Sequence, residues 1–219
     1  MKKKNIMWIV LIIVLIIVIC MNIYILYEFN VIPHRRYSNS DFGIDIYISS
    51  IDYDNDGIDD QSDILSGVRD YISTKPKYKS QYYAGGYSDD EYGVCTDVVG
   101  NGLRSAGYDL MELVNNHIEN NRGLYEIEKI DKNIDFRRVQ NLKVYFKSTA
   151  IELTTNVYDI EKWQGGDIVI FDKHIGIVSD KRNRKGVPFL IHHANPYQVY
   201  YEEDVLEDRD DIVGHYRIS

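Results

Sequence analysis

The run "NIMWIVLIIVLIIVICMNIYILYE" constrains this chain more than any other stretch, because no charge falls between Lys4 and Glu28. Met7 to Tyr27 is 21 residues, about 31 Å of helix, enough to cross the hydrocarbon of a bilayer. A secretory signal has an apolar region of only about 7–15 residues and then a small-residue cleavage site. This run is longer and lacks an A-x-A site, and Cys20 follows Ile19 rather than a small residue, which argues against a lipidated leader. The run reads as a retained signal anchor. Lys2, Lys3 and Lys4 precede it, Arg35 and Arg36 follow, and Trp8, Tyr24 and Tyr27 lie near its ends. Such charges favour a cytoplasmic N-terminus, and such rings favour the membrane interface. The sequence therefore predicts a cytoplasmic tail over residues 1–6, a transmembrane anchor over 7–27, a stalk over 28–50 and one extracytoplasmic domain over 51–219 of a cell-membrane protein.

Lys and Arg number 25 against 34 Asp and Glu, for a formal charge of −9. A chain this acidic is a poor match for nucleic acid, which rewards clustered cations. Of the two cysteines, Cys20 lies in the apolar run, so the domain carries Cys95 alone and has no internal disulfide.

In the first half of the domain the apolar positions have helical spacing. Ile64, Leu65, Val68 and Ile72 make one such face, and Val98, Val99, Leu103 and Ala106 make another, with Gly107 suited to the C-terminal cap. "DLMELVNNHIENN" reads as a further helix and "NIDFRRVQNLKVYFKSTA" as a helix or a turn and a helix. After Trp163 the pattern changes to short β-rich runs, "GDIVIFD", "HIGIVSD", "VPFLIHHA" and "VGHYRIS". Helices followed by strands imply an α+β domain.

"DYDNDGIDDQSD" places Asp52, Asp54 and Asp56 at alternate positions, then Gly57, then Asp63. This is close to the EF-hand loop D-x-[DN]-x-[DN]-G-x5-E, in which alternate carboxylates converge on one hard cation and the Gly permits a sharp turn. The Ile58 carbonyl and Asp60 complete the expected ligands, with Asp63 standing where Glu is usual. The segment resembles the Asp-ended loops of dockerin-like extracellular calcium modules. Calcium is expected in a structural role, with a Kd of about 10⁻⁴–10⁻³ M.

Cys95 stands where "EYGV" gives way to a helical run. Helix N-termini favour the thiolate form, the nucleophile of cysteine enzymes, and such a thiolate needs a His base and a group to orient that base. Among the six His, His174 opens "HIGIVSD", while His192 and His193 close "VPFLIHHA". Consecutive strand residues face opposite sides, so only one of the latter pair can meet the site.

These runs, "WQGGDIVIFDKHIGIVSD" and "FLIHHA" with "GVCTDVV" upstream, resemble the NlpC-like papain-fold cell-wall peptidases from about Tyr82 onward. "DGIDDQSDIL", "KPKYKSQYYAGGY", "NIDFRRVQNL" and "GHYR" further resemble a bacterial family known as a domain of unknown function. The resemblance implies a papain-like domain in which a helix opened by the Cys packs on a small antiparallel sheet. It implies Cys95 as nucleophile, His174 as base and His192 as orienter, with His193 and Asn195 as alternative orienters. It also implies a second oxyanion donor from Tyr82, Tyr83 or Tyr87, and hydrolysis of an amide in peptidoglycan stem peptides through a thioester. Asp97, within a turn of Cys95, is a further candidate contact. The better-known relatives have Asp-Cys-Ser-Gly where this chain has Val94-Cys95-Thr96-Asp97. Arg137 and Arg138 are expected to pair with the chain's own acids. The competing readings are a non-catalytic cell-wall-binding module and an acyltransferase or thioesterase using the same residues.

Overall fold

A computed structural model describes residues 2–218. The chain divides into two compact units, residues 1–34 and 35–219. In the first unit, α1 (Lys2–Glu28) contains a 24-residue stretch, Asn5–Glu28, long and apolar enough to span a membrane.

The second unit is α+β. Its elements are α2 (Asp60–Ser73), β1 (Lys77–Tyr78), β2 (Tyr92–Gly93), α3 (Cys95–Ser105), α4 (Leu110–Asn120), α5 (Lys132–Asp135), α6 (Val139–Thr149), β3 (Ile151–Glu152), β4 (Ile168–Phe171), β5 (Ile175–Arg182), β6 (Pro188–Ile191), β7 (Glu202–Glu203) and β8 (Ile212–Arg217). "NIDFRRVQNLKVYFKSTA" is thus a turn and a helix, split where Arg138 takes an extended conformation. The main sheet has the order β3-β8-β4-β5-β6-β7, with every pairing antiparallel.

Both faces of the central strands are covered, which is why β4 reads "IVIF" without polar alternation. Ile168 and Ile170 face one core with Ile175 and Ile177 of β5 and the apolar faces of α2, α3, α4 and α6. Val169 and Phe171 face a smaller core around Trp163, Val178, Leu190 and Leu206. This two-residue alternation is the strand period. α2 is capped by Asp59, whose carboxylate accepts from the Ser62 N–H.

Residues 35–50, expected as stalk, are built into the domain. Tyr37 and Arg182 exchange backbone hydrogen bonds. The fully buried Arg182 donates to Asn39 Oδ1 and to the carbonyls of Ile160, Trp163 and Gly186. A buried guanidinium requires such partners, and a chain leaving at residue 50 would remove one of them.

The Asp167 carboxylate, fully buried at the start of β4, accepts from Gln61 Nε2 of α2 at 2.8 Å and from the Gln164 N–H at 2.8 Å. It also accepts from His215 Nε2 at 3.0 Å and from Arg217 Nε and Nη2, both at 2.7 Å, on β8. Trp163 stacks on the His215 ring at 3.8 Å. Replacing Asp167 by Ala leaves Arg217 and His215 without their acceptor. We expect the variant to lose about 3–5 kcal/mol of unfolding free energy, measured by urea unfolding of the full chain in detergent.

Candidate active site

Cys95 is the first residue of α3, where backbone N–H groups lack intrahelical acceptors. Its half-buried thiol lies close to the N–H groups of Ile175, the first residue of β5, and of Thr96 and Cys95 itself. The thiol therefore sits between the α3 N-terminus and the strand that His174 leads into. These N–H groups favour the thiolate, but burial outweighs them and pushes the thiol up to about 11.

His174 and His192 are brought together. His174 Nε2 lies 2.8 Å from His192 Nδ1, and His192 Nε2 lies 3.0 Å from Glu203 Oε2 on β7. The chemistry of the last member orders the whole chain. A carboxylate only accepts, so His192 carries its proton on Nε2 and presents a bare Nδ1. His174 must then carry its proton on Nε2, which leaves its own Nδ1 as an unprotonated lone pair. Burial, with the charges of His192 and Arg209, pushes His174 down to about 3; burial and Arg209 do the same to His192. Both rings are neutral near pH 7.

Glu203 is held firmly. Gln198 Nε2 donates to Glu203 Oε2 at 3.0 Å and to the His192 carbonyl at 3.2 Å, while its Oε1 accepts from the Ala194 N–H. The neighbouring Glu202 accepts from Arg69 of α2 at 2.9 Å and from Ser179 of β5, and pairs with Arg36 at 3.0 Å. Sequence reasoning passed over Glu203. Its signal was the doublet "EE" shortly after the His pair, in a chain rich in acids.

Of the alternative orienters, His193 points elsewhere, edge-on to the rings of Tyr78 and Tyr201. Asn195 is exposed and spends its carbonyl on the Tyr197 N–H. The expected contacts need correction. Asp97 is buried, accepts from the Val94 N–H at 2.8 Å and pairs with Arg137 at 2.7 Å, so it faces the protein rather than a ligand. Arg138 pairs with Asp135 at 3.5 Å. The Tyr hydroxyls are engaged with neighbouring side chains and backbone. Tyr83 donates to Asp90 and accepts from Gln81. Tyr87 donates to Asp109. Tyr82 contacts Asp131 and Asn133.

In the acidic loop, carboxylate oxygens of Asp52, Asp54 and Asp56 lie within 4.8 Å of one another. Asp60 does not join them. It is buried, and its oxygens accept from the Tyr53 N–H at 2.8 Å and from the Tyr108 hydroxyl, which removes it from the expected ligands. Asp63 is buried at the start of α2, and the Ile58 residue is exposed.

A neutral resting thiol has a kinetic signature. The rate of Cys95 alkylation by iodoacetamide should keep rising, by about tenfold per pH unit, through the neutral range, because only the thiolate reacts. Peptide mass spectrometry reads this site by site. A plateau beginning in mildly acidic solution would mean a preformed thiolate–imidazolium pair instead.

Two comparisons bear on kinship. Residues 65–218 match the family model described as "Domain of unknown function (DUF1287)". The "Uncharacterized protein YijF" of Escherichia coli (strain K12) is 37% identical over 167 residues, covering 70% of this chain and 80% of that protein. No solved structure matches. The chain belongs to the DUF1287 family.

Proposed function

We propose that this chain is a membrane-anchored cysteine hydrolase of the NlpC-like, papain-fold kind, with its domain outside the cell membrane, cleaving an amide bond in peptidoglycan stem peptides. The observation that carries this reading is the ordered chain from Glu203 through His192 to His174, which ends on a bare nitrogen of the residue next to Ile175, the residue that the thiol at the α3 N-terminus approaches. A merely structural cysteine has no use for a base whose tautomer is set two residues away.

In the proposed reaction, Cys95 Sγ attacks the amide carbonyl while His174 Nδ1 takes the thiol proton. The S–C bond forms and the carbonyl π bond becomes an oxyanion. The free N–H groups at the α3 N-terminus lie beside Sγ and stabilise that charge. His174 is then an imidazolium, and the Glu203 carboxylate, acting through His192, offsets its charge. His174 returns the proton to the leaving amine as the C–N bond breaks. A water, deprotonated by the same nitrogen, then hydrolyses the thioester and restores the thiol. The uncharged run between Lys4 and Glu28 in α1 supports the anchor.

The test is incubation of the detergent-solubilised full chain with purified peptidoglycan, with products read by mass spectrometry. Wild type should release peptide fragments, and Cys95→Ala should release none. Equal release by both would remove Cys95 from the chemistry, and release by neither would remove peptidoglycan as the substrate.

Glu203 gives a separate expectation. Glu203→Ala should lower kcat by roughly 10²-fold or more with KM little changed, because positioning of the base is felt in the transition state. Nitrogen-15 NMR of the imidazoles should show His174 protonated on Nε2 in wild type and a mixture of tautomers in the variant.

A further inference from the structure

We propose that Gln198, on the loop that joins β6 to β7, is a positioning residue for the base, a role that rests on the proposed hydrolysis. It keeps Glu203 an acceptor and so fixes which nitrogen of His174 is bare.

The loop leaves the sheet beside the His pair. Its base is closed by the His192 N–H, which donates to the Tyr201 carbonyl at 2.8 Å. Within it, Asn195 Oδ1 accepts from the Tyr197 N–H at 2.8 Å, and the Asn195 backbone carbonyl accepts from the Gln198 N–H at 3.4 Å. Residues 195–198 therefore form a turn that sets the Gln198 backbone.

The direction of the Gln198 carboxamide follows from its partners, as the proton order of the two rings did. The Ala194 N–H, 2.6 Å from Oε1, can only donate. The His192 carbonyl, 3.2 Å from Nε2, can only accept. Turning the carboxamide end for end would set donor against donor and acceptor against acceptor. One orientation remains, and in it Nε2 donates to Glu203 Oε2 at 3.0 Å, the same oxygen that accepts from His192 Nε2.

Two donors on one oxygen decide what Glu203 can be. The residue is 8% exposed, and burial by itself favours a protonated carboxyl. Such a carboxyl could donate to His192 and allow that ring the opposite tautomer, with its proton on Nδ1. His174 Nε2 would then have to accept, its proton would move to Nδ1, and the thiol would lose its base. Hydrogen bonds donated to Oε2 favour the carboxylate and oppose this reversal. Gln198 thus acts on His174 Nδ1 through Glu203 and His192. The charged groups around this link are engaged with one another or with amides: Glu202 with Arg36 and Arg69, Arg209 with Asp211, and Asp204 with Asn183.

The experiment compares two variants with wild type, as the full chain in detergent. Gln198→Met keeps the length of the side chain and removes the donor. Its kcat on peptidoglycan should fall by roughly tenfold with KM little changed, and nitrogen-15 spectra should show a mixture of His174 tautomers. Gln198→Glu keeps the shape and makes the donor depend on pH. With its proton, the introduced carboxyl donates to Glu203 as the amide did; without it, two carboxylates face each other across the 3.0 Å contact. The ratio of variant to wild-type kcat should therefore be near one in acid and fall as pH rises, and the tautomer mixture should appear over the same range. A merely structural Gln198 would lower Tm in both variants and move neither readout. Wild-type tautomers in Gln198→Met, or a Gln198→Glu that tracks wild type at every pH, would overturn the assignment. If wild type releases no fragments, the hydrolase reading fails, and the tautomer spectra of the two variants still decide the role of Gln198.

Discussion

The domain is organised around the buried carboxylate of Asp167. It collects donors from α2, from the turn before β4 and from two residues of β8. A lone buried carboxylate is costly, but one surrounded by a guanidinium, an imidazole and two amide donors has its oxygens satisfied and is held in one geometry. The consequence is topological. β8, last in sequence, is fixed beside β4 rather than at an edge, and α2 is fixed over the same strands. Once β4 is placed, the short turn from Phe171 to His174, closed by a hydrogen bond from the Phe171 N–H to the His174 carbonyl, sets where β5 begins. The Cys95 thiol meets β5 at that point.

Two opposed effects meet at Cys95. The α3 N-terminus and three N–H groups stabilise negative charge on sulfur, while burial and the nearby Asp97 disfavour it. Burial wins, so the resting sulfur is a thiol and His174 is a neutral base. In the proposed hydrolysis the charge separation is then made only when the carbonyl arrives, and the groups that stabilise it are already in position. This is differential stabilisation of the transition state rather than of the resting enzyme.

Much of this was legible in the chain and some was not, for physical reasons. The helical faces of α2 and α3 and the β-rich runs after Trp163 are period signals, and each became the expected element. Cys95, His174 and His192 carry distinctive chemistry, which made them visible without coordinates. Glu203 lies on a two-residue strand, too short to have a period, and its role exists only through His192. The "GD" and "GHYR" runs were readable as motifs of a family but not as partners. Their shared purpose, the Asp167 cluster, spans 48 residues of sequence between Asp167 and His215. Residues 35–50 looked like stalk because their anchors are single polar contacts to Gln164, Asp59 and Arg182, which leave no periodic trace.

The pair Asp97–Arg137 explains how this site tolerates an acid two residues after its cysteine. Asp97 caps its own helix by accepting from the Val94 N–H, which holds the chain's extended approach to Cys95. Alone, its charge would raise the thiol further. Arg137 stands against it at 2.7 Å, both side chains are almost wholly buried, and the guanidinium offsets part of that charge. The same guanidinium donates to the Gln81 carbonyl at 2.7 Å and lies 4.8 Å from the centre of the Tyr83 ring, so it also ties the loop between β1 and β2 to the mouth of α3. A carboxylate that performs these tasks is not available to a ligand. In the proposed hydrolysis, selection of a substrate then falls to groups outside the Val94–Asp97 segment, and the loop between β1 and β2 that Arg137 ties to the mouth of α3 is, by these contacts, the nearest such piece of chain.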